Sequence, residues 1–114
     1  MKGTHLGEFQ EIVLLSILVL GDDAYGVTIK REVNKDGKRN ISRGALHTAL
    51  TRLEDKGLLR SSQGGSNQAR GGRPKRHYEV TNMGKSALHE AKETRDQLWN
   101  KIPNIRLELQ YGFA

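Results

Sequence analysis

The sequence predicts a mostly helical fold with one small β-hairpin, and three patterns support this fold class. An apolar stretch with helical spacing lies near the start of the chain, and a short amphipathic segment lies near its middle. Two strand-like segments follow, separated by a long loop that is rich in glycine and positive charge. With 114 residues, the chain is long enough for one domain with a modest core.

The first helix is expected over residues 6–20, where apolar residues recur at helical spacing and cover almost the whole circumference. A helix with so much apolar surface must be covered on several sides. We therefore expect part of it to be buried against another chain, and a deep central position within its own chain is the alternative. Gly21 is expected to end this helix.

The second helix is expected over residues 24–33, with Asp22 or Asp23 as its N-terminal cap. Three of its residues are spaced by four and are predicted to face the core, namely Tyr25, Ile29 and Val33. The polar segment 34–40 then predicts a turn. Its positive charges, which we expect near the mouth of the next helix, come from Lys35, Lys38 and Arg39.

A third helix is expected between Ser42, whose hydroxyl can cap its N-terminus, and Gly57, which can cap its C-terminus. One side carries an apolar stripe of Leu46, Ala49, Leu50 and Leu53. The opposite side is small and hydroxyl-bearing with basic edges, and it consists of Gly44, Thr48, Thr51 and Asp55 flanked by Arg43, His47 and Arg52.

The hairpin is expected to join residues 58–63 to residues 76–81, because both segments are short and strand-like. The glycine-rich segment between them is too long for a tight turn. No acidic residue lies between Arg60 and Tyr78, whereas five basic residues do: Arg60, Arg70, Arg73, Lys75 and Arg76. Such a loop suits phosphates or a narrow minor groove, and a solvated linker is the alternative.

A helix followed by a basic hairpin is the plan of a winged helix-turn-helix domain. Short or hydroxyl-bearing residues let such a helix approach base edges, and basic residues reach phosphates. The predicted DNA contacts are therefore Ser42, Arg43, His47, Thr48, Thr51 and Arg52 in the helix, and Arg70, Arg73, Lys75 and Arg76 in the wing. Two alternatives remain, a winged-helix module that binds an acidic protein and a non-specific DNA-binding protein. The outer helix face lacks the apolar or acidic character expected of an interaction module, so it favours DNA.

After the wing, Thr81 is expected to cap a long helix that ends or kinks near Pro103. Its charges are of mixed sign, which is typical of a solvated face. Its apolar stripe needs a partner, and the first helix of the same or a second chain is the expected one. We predict a winged domain over residues 1–81 and a dimerisation helix over residues 82–114. The stripe consists of Met83, Ala87, Leu88, Ala91, Leu98, Ile102 and Ile105.

Two stretches of this chain resemble the PadR family of bacterial transcriptional regulators. They are GALHTALTRLEDKGLL at residues 44–59 and GGRPKRHYEVTNMG at residues 71–84. The family pattern is a helix ending in RLE..GL, followed by a wing of the form GGRP.R.Y.LT..G. The matching residues here are Arg52-Leu53-Glu54, Gly57-Leu58, Gly71-Gly72-Arg73-Pro74, Arg76, Tyr78, Val80-Thr81 and Gly84, and Ala24-Tyr25-Gly26 also fits.

The resemblance, which covers roughly residues 6–90, implies a homodimeric repressor. PadR relatives dimerise through the terminal helix packed with the first helix. A two-fold symmetric dimer predicts an inverted-repeat operator in double-stranded DNA, with half-sites about one helical turn apart. The chain departs from the family at His47, where tyrosine is common, so the contact of that tyrosine is not carried over.

Trp99 is the single tryptophan of the chain and the candidate ligand-binding residue. At the seam of a helix pair, a tryptophan is most often part of the core. The functional alternative is a flat platform for an aromatic ligand between two subunits. The resemblance motivates this alternative, because the family includes repressors that release DNA when small, often aromatic or cationic, compounds bind.

Charge, residue composition and the apolar run near the start of the chain indicate which classes of function and partner to expect. A pI of about 9.8 and a net charge of +6 suggest a polyanionic partner. The chain has no cysteine, its 4 histidines lack metal-ligand spacing, and no catalytic motif stands out, so we expect no enzyme activity, metal or cofactor. The apolar run 12–20 is too short to span a bilayer and no cleavage site follows it, so we expect a cytoplasmic protein without a membrane partner.

Overall fold

The computed structural model describes residues 6–35, 37, 39–64 and 75–107. Within these ranges the α-helices are α1 (Glu8–Leu20), α2 (Gly26–Val33), α3 (Arg43–Asp55) and α4 (Asn82–Lys101). Strands β1 (Leu59–Gly64) and β2 (Lys75–Val80) form an antiparallel hairpin, and 3₁₀ turns cover Gly21–Asp23 and Asn104–Leu107. The described chain is mostly helical with one small hairpin, which confirms the predicted fold class.

Helix α1 supplies the centre of a single hydrophobic core. Val13, Leu14 and Ile17 are buried, and they share a cluster with side chains from every other helix and both strands. Burying each such side chain contributes roughly 1.5–3 kcal/mol, so this cluster is the main source of stability. The same helix exposes Val19, which is 71% accessible, so its apolar surface is only partly used within this chain.

Helix α3 forms as its sequence predicts. The Ser42 hydroxyl accepts a hydrogen bond from the backbone N–H of Ala45 at 3.0 Å, which caps the helix. Gly57 follows the last turn with φ of +80°, a left-handed conformation that favours glycine. The predicted apolar stripe is buried in full: Leu46, Ala49, Leu50 and Leu53. The outer face of α3 is therefore the part left free for a partner.

The prediction that an aspartate caps α2 is wrong. Asp22 and Asp23 lie in the 3₁₀ turn that follows α1, and the N-cap position of α2 belongs to Tyr25. The Thr28 hydroxyl accepts a hydrogen bond from the backbone N–H of Tyr25 at 2.9 Å and donates one to the carbonyl of Asp23. Thr28, inside the first turn of α2, thus makes the capping hydrogen bonds that the sequence analysis expected from Asp22 or Asp23.

Strand β2 is bonded along both of its edges. One edge pairs with β1, in a register that runs from Leu59 opposite Val80 to Gly64 opposite Lys75. On the other edge, the N–H of Tyr78 donates to the carbonyl of Ala24 at 2.9 Å. Next to it, Tyr25 and His77 form an antiparallel bridge. The hairpin is consequently attached to the start of α2.

The junction between the hairpin and α4 is held by Thr81. Its hydroxyl donates to the carbonyl of Gly57 at 2.7 Å and accepts from the N–H of Gly84 at 3.0 Å, which confirms the predicted cap. At Gly84 the helix presses against the hairpin. A Cβ there would lie 2.7 Å from Cγ1 of Val80 and closer still to the carbonyl oxygen of Leu58, so only glycine fits.

Helix α4 contacts the rest of the chain mainly through its first turns. Ala87 and Leu88 are buried in the core, whereas residues 92–101 are exposed. Arg95 reaches back to α1, and its Nη1 lies 2.6 and 2.7 Å from the two carboxylate oxygens of Glu11, whose side chain is 12% exposed. Hydrogen bonding to this carboxylate and its negative charge raise the pKa of Arg95 above its usual value.

In the described part of the chain, no helix combines the length and apolar character that crossing a bilayer requires.

The close approach at Gly84 generates a stability prediction. Replacing Gly84 with alanine should lower the free energy of unfolding by about 1–3 kcal/mol, because the new methyl group forces the hairpin and α4 apart. The matched control is Gly44→Ala on the exposed face of α3, where a Cβ meets nothing nearer than 4.0 Å. That control should be neutral or stabilising, because alanine favours the helix. Urea denaturation measures both variants, and equal stabilities would contradict the prediction.

Candidate nucleic-acid interface

A concave surface opens between α2, the N-terminus of α3 and the start of β2, and we call it the interface groove. Its polar lining includes Thr28, Lys30, Ser42, Arg43, His47, Lys75 and Arg76, together with the acidic residue Asp23. Two elements far apart in the sequence, the recognition helix α3 and the hairpin, therefore supply one positive surface. A groove of this charge suits the phosphate backbone of a nucleic acid.

Helix α3 exposes the five residues within it that the sequence predicts to contact DNA. Arg43, His47, Thr48, Thr51 and Arg52 are all exposed; Thr48 and Thr51 lie opposite the buried stripe, and the other three lie at its edges. A cylinder about 10–12 Å across, with short side chains in the middle of its outer face, fits a major groove about 12 Å wide. Ser42 lies at the edge of the interface groove, and its hydroxyl oxygen is already engaged in capping α3.

The hairpin brings part of the predicted wing to the same place. Lys75 and Arg76 begin β2, are exposed and line the interface groove. Arg70 and Arg73 lie outside the described residues. Arg60 stands opposite Glu79 in the register and its Nη2 lies 3.0 Å from that carboxylate, so its positive charge is offset across the strands. The charge of the wing that faces the groove therefore comes from β2 rather than β1.

The positive turn between α2 and α3 contributes less to the interface groove than the sequence suggests. Arg39 lies 3.4 Å from the carboxylate of Glu8 and 5.9 Å from the ring centroid of Phe9, so it is anchored on α1. Lys35 lies 3.8 Å from Glu32, and Lys38 is outside the described residues. Of these three basic residues, Lys35 is the one that the described residues place in the lining of the interface groove.

A side-chain bracket closes that turn. The amide of Asn34 accepts a hydrogen bond from the N–H of Ile41 at 3.0 Å and donates one to its carbonyl at 3.3 Å. These two bonds imitate a short strand pairing between the end of α2 and the start of α3. They tie the residue that follows α2 to the residue two positions before α3.

The hairpin also contributes a neutral side chain to the interface groove, that of Tyr78. Tyr78 is buried there, and burial raises the pKa of its hydroxyl, with a further rise from the charge of Glu54 and a smaller opposing effect from Arg76. Glu54 in turn accepts a hydrogen bond from the Ser61 hydroxyl at 2.5 Å. Because Tyr78 remains neutral at ordinary pH, it adds no negative charge that would repel phosphate.

The sequence placed Tyr25 in the core, and this prediction is wrong. Ile29 and Val33 are buried as expected, but Tyr25 precedes α2, is half-buried and lines the interface groove beside Lys75. Helical spacing misled because the residue sits in a strand-like bridge with His77. The match of Ala24-Tyr25-Gly26 to the family pattern was the one signal in the sequence that set this residue apart.

An exposed recognition helix, a two-stranded wing and a positive groove between them define the class of winged helix-turn-helix DNA-binding proteins. Residues 14–90 match the model of the transcriptional regulator PadR-like family, and the chain belongs to that family. Its members are regulators of transcription rather than enzymes, so this chain is a DNA-binding transcriptional regulator.

Known proteins support the same assignment. The chain is 34% identical over 98 residues to the transcriptional regulator Rv3488 of Mycobacterium tuberculosis, covering 83% of this chain and 87% of that protein. It is similar to a PadR family regulator from Clostridium difficile R20291, with a TM-score of 0.64, 33% identity and coverage of 88% and 99%. A PadR-like transcription factor from Bacteroides fragilis gives a TM-score of 0.67, 26% identity and coverage of 85% and 88%.

Proposed function

We propose that this regulator is a homodimeric repressor that binds an inverted-repeat operator in double-stranded DNA. The observation that carries the proposal is the exposed face of α3, which is hydroxyl-bearing and basic and adjoins the interface groove. Two such helices related by a two-fold axis would enter successive major grooves, with half-sites about one helical turn apart. The bound dimer would hide a promoter by steric exclusion.

The proposed contacts fall into two groups. Residues of α3 reach base edges and nearby phosphates, and residues of the wing reach phosphates or the minor groove. A histidine at position 47 can donate to either kind of acceptor in place of the tyrosine that is common in the family. The two groups are Ser42, Arg43, His47, Thr48, Thr51 and Arg52 in the helix, and Arg70, Arg73, Lys75 and Arg76 in the wing.

Exposed apolar side chains on α1 and α4 support the dimer. Leu15, Leu18 and Val19 lie uncovered on α1, and Leu98 and Trp99, each 57% exposed, lie uncovered on α4. A soluble protein rarely leaves this much apolar surface in water, and a second copy would cover it. We therefore propose that residues 82–114 form the dimerisation segment and that residues 1–81 form the winged domain, with the first turns of α4 packed on that domain.

We further propose a small-molecule effector that binds at Trp99, between the two subunits. A flat indole that is half exposed in one chain offers a stacking surface for an aromatic compound. Such a compound would release DNA by changing the spacing of the two recognition helices. The protein would act in the cytoplasm, without catalysis, a metal or a cofactor.

The operator proposal is tested by fluorescence anisotropy with the upstream promoter DNA of its own gene and a shuffled duplex. We expect the promoter to bind about a thousandfold more tightly than the shuffled duplex. Arg43→Ala and Arg52→Ala should each cost about 1–3 kcal/mol of promoter binding, because they remove contacts to bases or phosphates. The control is Lys85→Ala, an exposed lysine in the first turn of α4, which should bind like the wild type. Equal binding of both duplexes would instead indicate a non-specific basic surface.

The dimer is tested by light scattering on purified variants. Leu98→Asp should convert a dimer into monomers, because a carboxylate would be buried in an apolar interface. Val27→Asp is the matched control, since Val27 is also exposed, at 64%, but lies on α2. A wild-type chain that is monomeric at micromolar concentration would refute the dimer.

Trp99→Ala tests the effector site. We expect the variant to remain dimeric and to bind the promoter, but to lose its response to aromatic compounds that release the wild-type protein. Promoter anisotropy with and without compound measures this response. Loss of the dimer itself would show that Trp99 is a core residue of the interface rather than a ligand platform.

A further inference from the structure

An aromatic contact lies beneath the wing, outside the set of predicted DNA contacts. The ring of Tyr25 meets the ring of His77 edge-on, with centroids 5.3 Å apart and planes at 66°. The ammonium of Lys75 lies 5.4 Å from the centroid of the same Tyr25 ring. Residues 75 and 77 alternate along β2 and so share one face of the strand, and both contact Tyr25.

The backbone holds this cluster in place. Tyr25 is paired with His77 by a β-bridge, and its neighbour Ala24 accepts a hydrogen bond from Tyr78 at 2.9 Å. A ring nitrogen of His77, Nε2, also lies 3.4 Å from the carbonyl oxygen of Gly21. The backbone at Tyr25 is therefore held against β2, which places the Tyr25 ring beside the side chain of Lys75.

The chemistry of this contact differs from that of Arg60, the basic residue of β1. Arg60 is offset by the carboxylate of Glu79, whereas Lys75 forms no ion pair within the described residues. An aromatic face attracts an ammonium without cancelling its charge. Lys75 is thus oriented in the interface groove and keeps its full charge for an incoming phosphate.

We propose that Tyr25 is a positioning residue for DNA binding, whose ring directs Lys75 towards a backbone phosphate while His77 supports the ring. This inference rests on the proposed function, in which the wing contacts phosphates. The active feature is the aromatic face, not the phenol hydroxyl. The Tyr25 ring would consequently act on affinity and on its salt dependence through Lys75 alone.

The test compares promoter binding of Tyr25→Phe, Tyr25→Leu, Lys75→Met and the double variant Tyr25→Leu/Lys75→Met over a range of salt. Tyr25→Phe keeps the aromatic face and should bind within about twofold of wild type. Tyr25→Leu should bind about two- to fivefold more weakly, the range for a partly exposed cation–π contact. Lys75→Met should be weaker still and should reduce the salt slope by about 0.9, the value for one lost phosphate contact.

The double variant decides whether Tyr25 acts through Lys75. If it does, Tyr25→Leu/Lys75→Met should bind no more weakly than Lys75→Met alone, because coupled residues are not additive. Additive losses would overturn the proposal, as would a Tyr25→Phe variant that binds as weakly as Tyr25→Leu. Lys85→Met, an exposed lysine on α4, is the control and should leave both affinity and salt slope unchanged.

A measurement on the wild-type protein keeps the proposal falsifiable if Tyr25→Leu does not fold. The side-chain methylene protons of Lys75 should show an upfield ring-current shift in the NMR spectrum, and those of Lys85 should not. Identical shifts would overturn the proposed contact. If the wild type does not prefer its promoter over the shuffled duplex, the proposed function and this inference are both overturned. If the wild type prefers its promoter and the Tyr25 substitutions leave promoter binding unchanged, this inference alone is overturned.

Discussion

The arrangement of the interface depends on the pairing of β2 along both of its edges. One edge joins β1, and the other joins the backbone of Ala24 and Tyr25 just before α2 begins. A hairpin alone is marginally stable in water, so a wing attached only at its base would point in many directions. The additional bridge fixes the wing against α2, and the Asn34 bracket fixes α2 against α3. The two elements that we propose to contact DNA are thereby held next to each other through α2.

The basic residues of this protein differ in whether a carboxylate lies beside them. Arg60 and Arg39 each have a carboxylate partner and take part in holding the fold together. Lys75 instead rests on an aromatic ring, and the exposed arginines of α3 project from a helix whose other side is buried. The net charge of +6 is therefore not spread evenly over the protein. Arg60 and Arg39, which have carboxylate partners, lie outside the lining of the interface groove, whereas Lys75 is part of it. Phosphate binding requires the unpaired charges to lie together.

The residues that carry the family resemblance are, in the described part of the chain, largely architectural. Gly57 adopts a left-handed backbone, Thr81 caps α4, and Gly84 permits the close contact between α4 and the hairpin. These three matching residues thus join the wing and α4 to the rest of the domain. His47 is exposed and takes no part in the core, which is why a histidine at this position is compatible with the fold.

The sequence by itself determined the element types, the caps at Ser42 and Thr81, and the buried stripe of α3, because periodicity and capping act between near neighbours. It also identified the basic outer face of α3 and the family. Only the tertiary structure decided that Tyr25 leaves the core and lies under the wing, that Arg39 turns to α1, and that Arg60 meets Glu79. These contacts join residues that are distant in the sequence or that the strand register brings together. Such pairings depend on how the elements pack. Helical or strand spacing in the sequence does not encode that packing.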